Sequence, residues 1–157
     1  MMAEARRGAS MTGDVAGARV LVVEARYYDA IGQALWTGAE RALVAAGATI
    51  DRVAVPGALE IPQAIAMALD AVNHTYAGAV ALGCVIRGET SHYDIVAGES
   101  ARALMDLALR HAFPIGNGIL TVDTEAQALA RAAPDRGDKG GDAVRAVLSL
   151  IAFKRRS

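Results

Sequence analysis

The sequence predicts an α/β fold, with a four-stranded parallel sheet covered by helices on both faces. Two observations carry it. Short runs rich in β-branched residues alternate with longer stretches whose apolar residues recur at helical spacing. The connections between them are short, which suits strand-helix-strand crossovers in one sheet. A third observation fixes the middle of the sheet: "AGAVALGCVI" (77–86) is apolar throughout, as a central parallel strand buried on both faces must be.

Each element follows in order. "RVLVVEARY" (19–27) is the first strand, followed by a helix marked by Ile31, Leu35, Ala39, Ala42 or Leu43, and Ala46. Gly47 ends that helix in the position past the C-cap. "TIDRVAV" (49–55) is the second strand, broken by Pro56 and Gly57, and Ile61, Ile65, Ala68, Leu69 and Val72 mark the second helix. After the central strand, Ser91 is placed to cap a helix running to His111. "PIGNGILTV" (114–122) is the last strand. Two helices close the chain, from Thr124 to about Ala133 and from about Asp138 to Phe153, separated by Pro134 and Gly137. Residues 1–17 read as a mobile N-terminal segment and 18–157 as a single domain, with no repeat or low-complexity stretch.

Composition bounds the function. With 157 residues and 54% apolar content, one domain can bury a substantial core. Lys plus Arg number 16 and Asp plus Glu 17, so the net charge of −1 favours neither nucleic acid nor an anionic membrane. Any anion site must be local. Cys84 is the single cysteine, which excludes an intrachain disulfide, and no CxxC or HExxH spacing is present to hold a metal. A reducing cytoplasm is the expected compartment. The longest apolar run reaches about half of the ~20 residues a membrane helix needs. The opening residues lack the apolar stretch of a signal peptide.

In open parallel sheets, ligands bind outside the carboxyl ends of the strands, and four polar corners converge there. Arg26, Tyr27 and Tyr28 follow the first strand, "PGALE" the second, "RGETSH" the third, and Thr121, Asp123 and Thr124 the fourth. At the third corner Gly88 lets a ligand approach a helix N-terminus, whose amides and dipole suit a phosphate. Thr90 and Ser91 add hydroxyls, and Arg87 or a distant arginine adds charge; Ser91 as a plain cap and Arg87 as a solvated side chain fit the same residues. His92 falls in the first helical turn, where the dipole favours the neutral imidazole that a general base requires. His74 and His111 fall near helix ends away from that edge. Glu60 suits either a polar ligand or the dipole of its own helix; Tyr27 suits stacking or packing, and Cys84 a pocket wall.

Taken together, "ARYYDAI", "VPGALEIPQAIAMAL", "ALGCVIRGETSHYDIVAGESARAL", "GILTVDTEAQALARA" and "DKGGDA" resemble the lumazine synthases of riboflavin biosynthesis, over roughly residues 18–153. The pairing of PGAxEIP with GCVIRGETxHYD carries the resemblance. It implies a flavodoxin-like α/β/α sandwich and the joining of 5-amino-6-(D-ribitylamino)uracil to 3,4-dihydroxy-2-butanone 4-phosphate, yielding 6,7-dimethyl-8-ribityllumazine, phosphate and water. No cofactor or metal is implied. The resemblance assigns the phosphate to Glu89, Thr90 and Arg131, and proton transfer to His92. It assigns the pyrimidine to Tyr27, to Ala58, Leu59 and Glu60, and to Cys84, Val85 and Ile86, with Lys139 near both ring and phosphate.

It also implies sites shared between the subunits of a homopentamer. Asn117 stands where many members carry an aromatic residue, and Tyr28 where an asparagine is usual. "APDRGD" replaces the turn typical of members that build capsids, so assembly is expected to stop at the pentamer. A paralogue that binds flavins or lumazines without turnover, and a lumazine-dismutating riboflavin synthase of related fold, are the alternatives. His92, Thr90 and Arg131 favour catalysis over the first, and the complete "RGETSHYD" corner points away from the second.

Overall fold

The computed structural model describes residues 14–156. Its elements are β1 (Arg19–Ala25), α1 (Asp29–Ala45), β2 (Thr49–Val55), α2 (Glu60–Asp70), β3 (Gly78–Ile86), α3 (His92–His111), β4 (Ile115–Val122), α4 (Glu125–Ala132) and α5 (Lys139–Arg155). The four strands are parallel in the order β2-β1-β3-β4. β3 is central, and the apolar run that suggested this is buried over its first six residues.

Alternation along the strands sorts the helices into two layers. Val20, Val22, Val80, Leu82, Leu120 and Val122 pack against α1, α4 and α5. Leu21, Val23, Ala79, Ala81 and Ile119 point the other way, into a core closed by Ile61 and Ile65 of α2 and Val96 and Leu104 of α3. The result is a three-layer sandwich. Gly47 has φ +72°, and its N–H donates to Val44 O at 3.0 Å, the C-terminal stop expected of it. α5 packs so closely on α1 that a Cβ on Gly140 would lie 2.1 Å from Leu35 O.

Three boundaries differ from the expectation, the first being α2, which ends at Asp70 and leaves Val72, expected to mark it, 96% exposed beyond its end. β1 ends at Ala25, so Arg26 and Tyr27 leave the sheet and join the loop. Residues 1–13 of the expected mobile segment lie outside the described residues. The remaining four pack on the body: Val15 is buried, Gly17 N–H donates to Gly47 O at 2.8 Å, and the Arg155 guanidinium donates to Asp14 O at 3.3 Å.

The outer surfaces of α2 and α3 are unusually apolar. On α3, Val96, Ser100 and Leu104 face the core, while Ile95, Met105 and Leu109 form an exposed stripe on the opposite side. Met67 and Val72 are exposed at and just beyond the end of α2. A helix with two apolar stripes has more hydrophobic surface than the rest of its chain covers.

Candidate active site

The strand ends build one rim. Tyr27 is 78% exposed after β1, and Tyr28 behind it is half-buried, their rings meeting edge to face at 4.9 Å. After β2, Ala58 is buried, and Leu59 and Glu60 are half-buried at the start of α2. The turn is closed by Glu60 N–H donating to Gly57 O at 3.1 Å and Ile61 N–H to Ala58 O at 3.3 Å. The Glu60 carboxylate curls back to within 3.1 Å of where a Gly57 Cβ would stand, so glycine makes room for it. β3 emerges from the core through Cys84, Val85 and Ile86, all half-buried, and leads into the exposed residues Arg87, Gly88, Glu89, Thr90 and Ser91.

His92 opens α3 and is exposed. Its backbone N–H is taken by Thr90 Oγ1 at 3.3 Å, while Ser91, expected to cap the helix with its hydroxyl, occupies the cap position without a side-chain hydrogen bond. Thr90 is the residue that shapes the turn. Arg87 is both exposed and engaged. Its Nε donates to Asp123 Oδ1 at 2.9 Å, a second nitrogen lies 3.7 Å from Asp94, and the guanidinium sits 4.3 Å over the Tyr93 ring. Those contacts raise its pKa further, the Asp123 hydrogen bond foremost. Arg87 thus ties the third corner to the fourth, a role its sequence position alone did not distinguish from phosphate binding.

Cys84 lies where burial, joined by the Glu125 carboxylate, pushes its thiol up to about 11. Burial also raises the Tyr28 hydroxyl, followed by Cys84, Tyr27 and Glu125. These effects place the start of α4 beside the ends of β1 and β3. Glu125 went unnoticed in the sequence because an acid in a first helical turn is ordinary. Below Tyr27, Glu24 is buried and gripped by the Arg52 guanidinium, one of the two bonds at 3.2 Å, with Arg26 at 3.7 Å. Arg52 also lies 4.0 Å over the Trp36 ring. Sequence reading missed this network too, since only the pairing of β1 with β2 sets Glu24 beside Ala54 and Val22 beside Arg52.

Three expected site residues stand apart. Asn117 is exposed on β4, and its side-chain oxygen accepts the Ile119 N–H at 2.9 Å. It borders an open groove of about 310 Å³ lined by Gly98, Ser100, Ala101 and Thr121. Arg131 is on α4, donating to Gln127 O at 3.1 Å, and Lys139 begins α5, 3.9 Å from Asp142. The helices α4 and α5 pack on one face of the sheet, whereas α3 with His92 packs on the other. A single chain therefore carries Arg131 and Lys139 on a different layer from His92, while Asn117 borders the α3 face. The turn that precedes Lys139 is tight: Gly137 N–H donates to Ala130 O at 3.0 Å, and a Cβ on Gly137 would strike the Arg131 backbone at 2.7 Å. Among the described residues no His, Cys, Asp and Glu group could hold a metal, and no helix is long and apolar enough to cross a membrane.

An open parallel sheet with polar loops gathered outside its carboxyl edge defines an α/β protein of the class whose members bind ligands at that edge. Residues 17–155 match the model of the 6,7-dimethyl-8-ribityllumazine synthase family. The chain belongs to that family. It is 59% identical over 159 residues to the 6,7-dimethyl-8-ribityllumazine synthase of Azorhizobium caulinodans, covering 99% of this chain and 98% of the relative. The protein of that name from Methylocella silvestris is 63% identical over 147 residues, covering 92% and 90%. Rhodopseudomonas palustris 6,7-dimethyl-8-ribityllumazine synthase 1 is 58% identical over 159 residues, covering 99% and 98%.

Proposed function

We propose that the protein joins 5-amino-6-(D-ribitylamino)uracil to 3,4-dihydroxy-2-butanone 4-phosphate, releasing phosphate and water and forming 6,7-dimethyl-8-ribityllumazine for riboflavin synthesis. The observation that carries this reading is the exposed corner Gly88–His92, opening onto the N-terminus of a 20-residue helix and flanked by the Ala58–Glu60 turn. The amides and hydroxyl at Glu89 and Thr90 receive the phosphate, where the positive end of the helix dipole favours it. Tyr27 stacks on the pyrimidine, Ala58, Leu59 and Glu60 hold its ribityl chain, and Cys84, Val85 and Ile86 face the ring with backbone groups. His92 moves the protons that Schiff-base formation, phosphate elimination and ring closure demand. Because phosphate is a good leaving group, holding both substrates in register supplies much of the rate.

Arg131, Lys139 and Asn117 complete the site from a neighbouring subunit. For Arg131 and Lys139, the position on the other layer from His92 supports this, and so does the exposed apolar stripe of Ile95, Met105 and Leu109; Asn117 borders the α3 face and rests on the resemblance alone. The assembly is a homopentamer that goes no further, the turn at Pro134 and Asp135 being unlike that of capsid-forming members. The cytoplasm is its compartment. Mixing the protein with both substrates and following lumazine fluorescence alongside phosphate release tests the reaction. Equal amounts of both products are expected. Tight binding of the pyrimidine or of a flavin without turnover would overturn catalysis in favour of a binding role. Light scattering tests assembly, and a particle of capsid mass would overturn the pentamer.

A further inference from the structure

At the opposite end of the sheet from the candidate site, a cavity of about 360 Å³ opens among Tyr76 and Ala77 before β3, Phe113 before β4, His74 and His111, and the end of α5. That size falls in the range of small-molecule pockets. Its walls divide into two kinds of chemistry. The His74 ring is stacked with Tyr76 at 6.1 Å and edge-on to Phe113 at 6.2 Å, making an aromatic wall. The lining also holds His111, Lys154 and Arg155, and none of the described residues that line the cavity is an acid.

The carboxylate behind the wall is already neutralised. Asp51 accepts the Tyr76 hydroxyl and pairs with Arg19 at 3.1 Å, and the Arg19 guanidinium lies 4.4 Å from the centre of the Tyr76 ring. Lys154 Nζ donates to Ala112 O at 2.8 Å, and Arg155 to Asp14 O at 3.3 Å, so both stems are held at the cavity. His74 Nδ1 is buried with no hydrogen-bond partner, an imidazole edge that gains one when the ring turns toward an acceptor.

From this cavity we infer that the amino end of the sheet is a second binding site, which takes a small flat ring bearing a phosphate. The ring lies against His74, Tyr76 and Phe113, and the phosphate meets Lys154, Arg155 and His111.

The test is calorimetric titration with phenyl phosphate at low salt, in Arg131→Ala protein, where the proposed catalytic phosphate contact is weakened. Saturable binding is expected. His111→Ala and Lys154→Gln, each added to that background, should weaken it at least about fivefold, the scale of one lost charge-assisted contact. Benzyl alcohol, which keeps the ring without the charge, should fail to compete. His111 is exposed and serves as the variant least able to disturb folding, and His111→Ala alone should form lumazine at the normal rate. Absence of saturable binding, or binding indifferent to both substitutions, would overturn the site, whatever the lumazine assay shows.

Discussion

The Thr90 hydroxyl accepts the backbone N–H of His92 at 3.3 Å, so the residue proposed to hold phosphate also sets the turn that presents the proposed base. Thr90→Ala removes both functions. It should raise the KM for the butanone phosphate about tenfold, the value of one hydrogen bond to a charged group, and lower stability by about 0.5–1 kcal/mol. Thr90→Ser should restore most of each, as steady-state kinetics and urea unfolding would report. Equal losses for both substrates would contradict the phosphate assignment.

His92 itself is exposed, and its removal should leave the fold intact. His92→Ala should slow turnover by about 10²-fold, the low end for general acid-base catalysis, because the phosphate leaves without help. Urea midpoints should match those of the unaltered protein. An undiminished rate would take His92 out of the proton transfers.

Beneath the rim, Glu24 and Arg52 join β1 to β2, with Glu24 only 2% exposed and Arg52 reaching it from the exposed edge strand. Arg52→Met should cost about 2–3 kcal/mol, less than a fully buried pair because the guanidinium is partly solvated and Arg26 stays near the carboxylate. Glu24→Leu combined with Arg52→Met should recover only part of that loss, since Arg26 then loses its carboxylate and keeps only Gln33 as a partner among the described residues. Denaturant unfolding of the single and double variants measures the coupling.

How much of this was legible in the sequence depends on whether the signal was local. β2 falls on the residues expected of it, and Gly47 stops α1, because β-branched runs and a left-handed glycine act within a few residues. That Tyr27, Ala58 and the Gly88–His92 stretch lie at one edge was legible because strand ends in a parallel sheet share an edge. The partners of Glu24 and Arg87 were not. Their bonds cross from β1 to β2 and from β3 to β4, and an order of β2-β1-β3-β4 cannot be read from residue spacing. Ser91 misled because a serine before a helix normally caps it, whereas here the preceding threonine reaches the first amide.

Cys84 should be a poor nucleophile despite its place on the rim. Burial and Glu125 raise its thiol from 9.0 to about 11, which cuts the thiolate present at pH 8 about 100-fold. The more basic thiolate recovers part of that through its greater nucleophilicity, leaving alkylation by iodoacetamide about tenfold slower than for an exposed thiol. The rate should keep rising with pH beyond 9, where an ordinary thiol levels off. Stability follows the same sign. The unfolded chain ionises first, so the contribution of the neutral thiol is complete below pH 9 and is lost as pH climbs toward 11. Cys84→Ala should flatten that decline.

The separation of His92 from Arg131 across the sheet layers leads to the most discriminating prediction. If each site takes His92 from one subunit and Arg131 from the next, then His92→Ala and Arg131→Ala chains, each nearly inactive alone, repair one another when unfolded, mixed and reassembled. A site is intact when its His92 donor carries the Arg131 change and its Arg131 donor carries the His92 change. Random equal mixing around a ring makes that about one site in four, so about a quarter of normal activity should return. Sites built within single chains would contain one lesion or the other in every copy. Activity rising with the product of the two mole fractions, and absent when reassembly is omitted, would locate the site between subunits.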